Sequence, residues 1–332
     1  MRAARQLAII GLSIAAPLRA QRDPSPHREI WVTTAPGVRI HVLDWGGTGP
    51  AILMVPGYGF SAHIYDDFAP RLRGYRVLAM TVRGWPPSDA PSSGYTYNAV
   101  AGDIRAVIDS LRLGPTVLVG HSFGGALITR AAAQDSVRIR ALIYLDGALQ
   151  SAPRDSIFRL NPIRRPPPPE TADTSLRSQI DTWHRYAERN FYGTWTPALE
   201  ADLWARGTGM SDREFARRDS LVHRFGTEDP RDKLQSAFGS FGQPALSICA
   251  ITTARYQFPW LNKASSDWST AEQFTEGALI PFQHRECALF RSEARRGETA
   301  ELESGHYLFI NRPDRVATLM LTFLQKVTHP SR

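Results

Sequence analysis

The chain has 332 residues but only two cysteines, Cys249 and Cys287, and neither stands in a metal-ligand spacing. That excludes a cysteine zinc module and a scaffold stapled by several bridges. It leaves open one disulfide or two buried free thiols. Lysine is scarce. The basic residues are almost all arginine and lie scattered, with no run or stripe, so the net charge of +7 describes a solvated surface rather than a nucleic-acid interface. There is no internal repeat, and beyond the N-terminus no apolar run long enough to span a bilayer. One further absence is local. The loop Thr252 to Asn262 contains no aspartate or glutamate.

What is present reads as a soluble globular protein, 42% hydrophobic and 21% charged. The length suits one α/β domain with an insertion, or two domains. Arg2 and Arg5 precede an apolar run from Leu7 to Pro17, and the segment ends Leu18-Arg19-Ala20-Gln21. This is the pattern of a secretory signal peptide, residues 1–20, cleaved after Ala20. Leu18 is not small, so the cleavage site is imperfect, and an uncleaved anchor is the competing reading. The expected location is therefore exported, periplasmic or secreted, with no stable membrane span after cleavage. Residues 21–28 read as a linker.

Glu29 to Thr34 and Val38 to Trp45 roughly alternate and predict two antiparallel strands around Ala35-Pro36-Gly37. Ala51 to Val55, Tyr75 to Thr81, Thr116 to Val119, Arg138 to Asp146 and Pro244 to Ile251 are apolar runs of the kind found inside a sheet. A helical period covers 97–111, with Val100, Ile104, Val107, Ile108 and Leu111 on one face. Further helices are expected over roughly 270–295 and Pro313 to Val327, with a short strand at Thr299 to Leu302. Strands alternating with helices predict an α/β fold, a mostly parallel central sheet flanked by helices. The pattern breaks over 148–242, where the proline-rich Pro162 to Pro169 precedes polar helix bearing Trp183, Tyr186, Phe191, Tyr192, Trp195, Trp204 and Phe215. This reads as a helical cap inserted into a core of 21–147 and 243–332. Its aromatics serve either an apolar pocket or the insertion's own core.

The joint Gly120-His121-Ser122-Phe123-Gly124 stands between the buried strand ending at Val119 and a small-residue helix beginning near Ala126. A turn that sharp strains its central residue and exposes the Ser122 hydroxyl at a helix N-terminus. The alternative is an ordinary turn with a capping serine. A serine nucleophile needs a base, and His306, on a loop between the last strand and the last helix, is the best placed histidine. His63 lies near the loop Pro56 to His63 and reads as a group within reach of substrate; His121 is expected to point elsewhere. The base needs a carboxylate. Asp146, at the end of the strand after the serine helix, is favoured over Asp267 and Glu272. Acyl transfer also needs N–H donors at the developing oxyanion, which Tyr58 and Phe123 are placed to supply.

On these residues the chain resembles the α/β-hydrolase superfamily, from about residue 30 to 327. Gly120-His121-Ser122-Phe123-Gly124 matches the nucleophile elbow, Gly305-His306 the catalytic histidine, and Arg83-Gly84-Trp85 with Ser88-Asp89 the family's Arg-Gly-x-Gly-x-Ser segment. Pro56-Gly57-Tyr58-Gly59 departs at its first position from the family's frequent His-Gly. The Ser, Asp, His order fits. The commoner acid position, after the next-to-last strand, is empty, but some members carry the acid where Asp146 stands. The resemblance implies triad chemistry and leaves the substrate open; the expectation is a serine hydrolase acting on a small-molecule, apolar carboxylic ester, with no cofactor or metal required. Lactone, amide and carbon–carbon hydrolysis, and cofactor-free peroxidation, use the same triad. Serine rather than aspartate at position 122 disfavours epoxide and haloalkane hydrolysis. The rivals are a non-catalytic binding protein of the same fold and a surface-anchored interaction protein. Oligomeric state is not legible.

Overall fold

The computed structural model describes residues 25–148, 156–167, 176–189, 195–207, 210–229, 231–232 and 238–328. The expected signal peptide, residues 1–20, and the aromatics Phe191 and Tyr192 lie outside the described residues. Eight strands form one sheet: β1 (Arg28–Ala35), β2 (Val38–Gly46), β3 (Ala51–Val55), β4 (Arg76–Met80), β5 (Thr116–His121), β6 (Ile139–Leu145), β7 (Ala245–Ile251) and β8 (Gly297–Glu303). Their order across the sheet is β1-β2-β4-β3-β5-β6-β7-β8. The β1–β2 and β2–β4 pairs are antiparallel, and every later pair is parallel.

The burial of β3, β5 and β6 on both faces explains their unbroken apolar runs. Alternate residues face opposite ways along a strand. Leu53, Val55, Leu118, Leu142 and Tyr144 pack with helices α1 (Tyr97–Ser110) and α2 (Phe123–Gln134). Ile52, Met54, Val117, Val119, Ile143 and Leu145 pack with the last helix and with the turns at 62–71. Each face thus has its own core, and the fold expected from the sequence is the one observed.

The described residues of the 148–242 segment include α3 (Leu176–Ala187), α4 (Pro197–Gly207) and α5 (Asp212–Val222), with short helical turns at 156–159 and Phe238–Ser240. Residues 161–167 have neither helix nor strand, as prolines dictate. The single helix expected over 270–295 is divided instead into α6 (Ser266–Phe274), a π-helical turn (Thr275–Leu279) and α7 (Ile280–Glu293). Pro281 has no N–H to donate, and its ring crowds the carbonyl of Gly277, so one wider turn takes up the misfit. The chain closes with α8 (Pro313–Thr328). Cys249 on β7 and Cys287 on α7 form a disulfide, the first of the two alternatives open in the sequence.

The Arg83 to Asp89 segment holds this frame. Arg83 forks onto Asp103 of α1 at 2.7 and 2.6 Å, both side chains being buried. Ser88 Oγ donates to the Thr81 carbonyl at 2.6 Å and accepts the His41 N–H at 2.9 Å. Residues 25–28, expected as a linker, are instead docked: buried Ser25 accepts a hydrogen bond from the Trp45 indole at 2.7 Å.

Candidate active site

The chain runs from β3 to β4 on one side and then to β5 on the other. Strand order therefore reverses beside β3, where the carboxyl ends of an open parallel sheet leave a crevice. The loops after β3, β5 and β6 meet there. Ser122 is the residue between β5 and α2, with φ 51° and ψ −121°. A serine rarely adopts such angles, and they cost of order 1–3 kcal/mol. The flanking glycines permit the turn because there is no room for a side chain: a Cβ on Gly120 would fall 2.6 Å from the Gly124 backbone, and one on Gly124 would fall 2.3 Å from the Val55 carbonyl. The serine N–H donates to the Leu145 carbonyl at 3.3 Å, and no side-chain capping bond engages its hydroxyl.

His306 follows β8. Its Nδ1 donates to Asp146 Oδ2 at 2.6 Å. Asp146 is buried and His306 is about one-third exposed. The other carboxylate oxygen, Oδ1, accepts the Ala250 N–H at 3.1 Å, and the Asp146 N–H donates to the Ile248 carbonyl at 2.9 Å. Strand β7, which carries no acid at its own end, thus orients the acid of β6 through its backbone. Asp267 and Glu272 lie exposed on α6.

His121 points away from Ser122, as expected, and its Nε2 donates to the His306 carbonyl at 3.1 Å. Its ring sits 4.7 Å from that of His306. His63 pairs with Asp66, 2.7 Å away.

Gly57 passes directly against the elbow, since a Cβ there would fall 3.2 Å from Ser122 Cβ. Tyr58 follows it, ahead of Gly59 with φ 85°. Phe123 is the first residue of α2, and an N–H at that position has no acceptor within its helix. Phe123 is thus the chain neighbour of Ser122, and Tyr58 the chain neighbour of the glycine that touches it.

The wall beside the serine is aromatic. The Tyr58 ring lies 4.9 Å from Trp85 and 5.8 Å from Phe123, and Trp85 stacks on Phe225 at 5.5 Å. Phe123 meets Phe225 at 5.3 Å, and His223 stands 6.2 Å from Tyr58. Burial and the Asp219 charge raise the Tyr58 pKa, so its hydroxyl stays protonated at pH 7. Phe225 and His223 were not singled out for this surface by the sequence. The tryptophans singled out there sit elsewhere: Trp183 and Trp195 pack on the core face shared with α8, Trp204 donates to Glu200, and Phe215 is exposed. Asp202 of α4 accepts from both the N–H and the hydroxyl of Ser61, each at 2.7 Å, which ties the 148–242 segment to the Gly57 loop.

A strained serine between strand and helix, a histidine–carboxylate pair and a glycine loop against them form the layout of an α/β hydrolase. The chain belongs to the alpha/beta hydrolase family, whose model matches residues 52–319. The bifunctional epoxide hydrolase 2 of Sus scrofa is 32% identical over 149 residues, covering 42% of this chain and 27% of that protein. The N-formylmaleamate deformylase of Pseudomonas putida is 37% identical over 116 residues, covering 34% and 43%. The matches thus span less than half the length of these curated relatives. Among solved structures, a carboxylesterase of Bacillus subtilis superposes with a TM-score of 0.61 at 14% identity, covering 92% of this chain and 94% of the other. At that identity the likeness concerns the fold. Hydrolase chemistry is what the family and these names share. No helix among the described residues is long and apolar enough to cross a membrane.

Proposed function

We propose that this chain is a serine hydrolase that cleaves carboxylic esters through an acyl-enzyme. The observation that carries the reading is the 2.6 Å hydrogen bond from His306 to Asp146, next to a serine held at φ 51°. Ser122 Oγ attacks the ester carbonyl and His306 Nε2 takes its proton. The carbonyl oxygen becomes an oxyanion, held by the N–H groups of Tyr58 and Phe123. His306 then protonates the leaving alkoxide, and water hydrolyses the acyl-enzyme with His306 again as base. Asp146 fixes the imidazole tautomer and stabilises the imidazolium. The aromatic wall favours a small, apolar substrate that lies against the exposed faces of Tyr58, Phe123 and Phe225. Serine as nucleophile argues against epoxide opening, because the resulting ether has no carbonyl for water to attack.

The test is hydrolysis of p-nitrophenyl esters from acetate to long acyl chains by wild type and Ser122→Ala, with fluorophosphonate labelling of the same proteins. Turnover and labelling in wild type alone support the reading. Folded wild type that neither turns over nor labels overturns it in favour of a binding protein. Amide cleavage is the second reading, favoured by the likeness to the deformylase, and N-formyl amides in the same assay separate the two.

We also propose that the protein is exported from the cytoplasm. The supports are the N-terminal Arg2, Arg5 and Leu7 to Pro17 pattern and the Cys249–Cys287 disulfide, which an oxidising compartment sustains. N-terminal sequencing of the exported protein tests it, with Gln21 the expected first residue.

A further inference from the structure

A second set of chemistry-bearing side chains lies outside the catalytic constellation. His27 stands just before β1. His63 and Asp66 are three residues apart, on the 3₁₀ turn Ala62–Tyr65 and immediately after it, a spacing that puts both on one face. All three are withdrawn from water: the Asp66 side chain is fully buried, and those of His27 and His63 are 6% and 16% exposed. His63 Nδ1 donates to Asp66 Oδ2 at 2.7 Å, and His27 Nδ1 lies 3.6 Å from Asp66 Oδ1. One ligand atom from each residue lies within 4.8 Å of the other two. His41, whose ring is 5.8 Å from His63, faces Thr81 at 3.1 Å and Glu29 at 3.3 Å. It stands beside the set rather than in it.

We propose that His27, His63 and Asp66 bind one divalent transition-metal ion, zinc above all, at a structural site separate from the catalytic residues. Two imidazoles and one carboxylate are the donor set of nitrogen-preferring borderline ions, whereas calcium and magnesium take oxygen ligands. Ligand atoms about 2.1 Å from a tetrahedral zinc stand about 3.4 Å apart, and the separations of 2.7 and 3.6 Å lie on either side of that value. The ion takes the place of the proton on His63 Nδ1, which shifts by way of solvent to Nε2 so that the imidazole stays neutral, and a water molecule completes the coordination. Such an ion fastens the chain entering edge strand β1 to the turn that follows the Gly57 loop.

The experiment uses the full chain, stripped with a chelator and passed through a desalting column. Zinc chloride is then titrated while bound metal is counted by elemental analysis and thermal unfolding is followed. The expected result is one zinc retained per chain and a rise in Tm of about 5 °C once zinc exceeds its Kd a hundredfold. His27→Gln and His63→Gln, chosen for similar volume, lose both effects. His284→Gln, at the exposed pair with Glu301, keeps both. Cobalt(II) gives an independent readout, a visible absorption band that wild type shows and His63→Gln lacks. Wild type that retains no zinc, or His63→Gln that folds and retains it equally, overturns the site.

Discussion

Asp146 reaches His306 from a backbone that is itself left-handed, with φ 46°, so the proposed acid and the proposed nucleophile Ser122, at φ 51°, are both held in strained turns at the ends of adjacent strands. The turn aims the carboxylate across β7, where the Ala250 N–H fixes one oxygen and leaves the other for His306. Asp146→Asn keeps the shape but loses the acceptor that selects the tautomer. Turnover is expected to fall by about four orders of magnitude, while Asp267→Asn stays within about twofold. Steady-state kinetics on one p-nitrophenyl ester check both. Equal losses, or the reverse order, contradict the geometry.

Ser122 stores strain that a glycine releases. Glycine ordinarily destabilises a folded chain relative to alanine by about 0.5–1 kcal/mol. At φ 51° the order inverts, and Ser122→Gly is expected to be more stable than Ser122→Ala by about 1 kcal/mol, although both are inactive. Urea unfolding of the two variants measures it.

Phe225 comes from the segment between β6 and β7 yet stacks on Trp85 and touches Phe123, the residue after the nucleophile. Phe225→Ala opens the wall without touching the triad. KM for aryl and medium-chain esters is expected to rise about tenfold, with kcat nearly unchanged and acetate little affected. A uniform loss of kcat across the series contradicts a binding role.

Asp44 joins β2 to its neighbours. Burial alone raises its pKa, but hydrogen bonds from Arg76, the Gly46 N–H and Arg28 outweigh this and hold it below the ordinary value of 3.8. A carboxyl with a depressed native pKa contributes stability that is complete above its unfolded value and lost as pH falls through the native one. Asp44→Asn is therefore expected to lower the urea midpoint clearly at pH 7, and the gap from wild type to narrow below about pH 4. A gap that stays constant from pH 7 to pH 3 contradicts the ion-pair account.

The elements legible in the sequence are those whose pattern is local. Ala51 to Val55 and the period over 97–111 announce a buried strand and an amphipathic helix, and both stand within a residue of expectation. The elbow is legible as a local motif, and Gly120 is required by the Gly124 backbone four residues on, but Gly124 is required by the Val55 carbonyl of a neighbouring strand. The π-helical turn at Thr275–Leu279 escaped because it is a compromise between a helix that packs well and one proline that does not. The roles of Phe225 and His223 escaped for another reason. Nothing in their neighbourhood distinguishes an aromatic facing Tyr58 from one facing its own helix. The acid lay between the two cases: position named Asp146, but the Ala250 N–H that orients it belongs to a strand a hundred residues on.

The buried carboxylate of Asp202 bears on how transferable this architecture is. It belongs to the segment between β6 and β7, yet it holds the N–H and hydroxyl of Ser61, three residues after Tyr58. That segment and the Gly57 loop are therefore not independent modules. A chimera that exchanges residues 148–242 for the corresponding segment of another hydrolase also removes the acid that clamps its own Gly57 loop. Substrate range in this scaffold cannot be traded wholesale without replacing that single acid in kind.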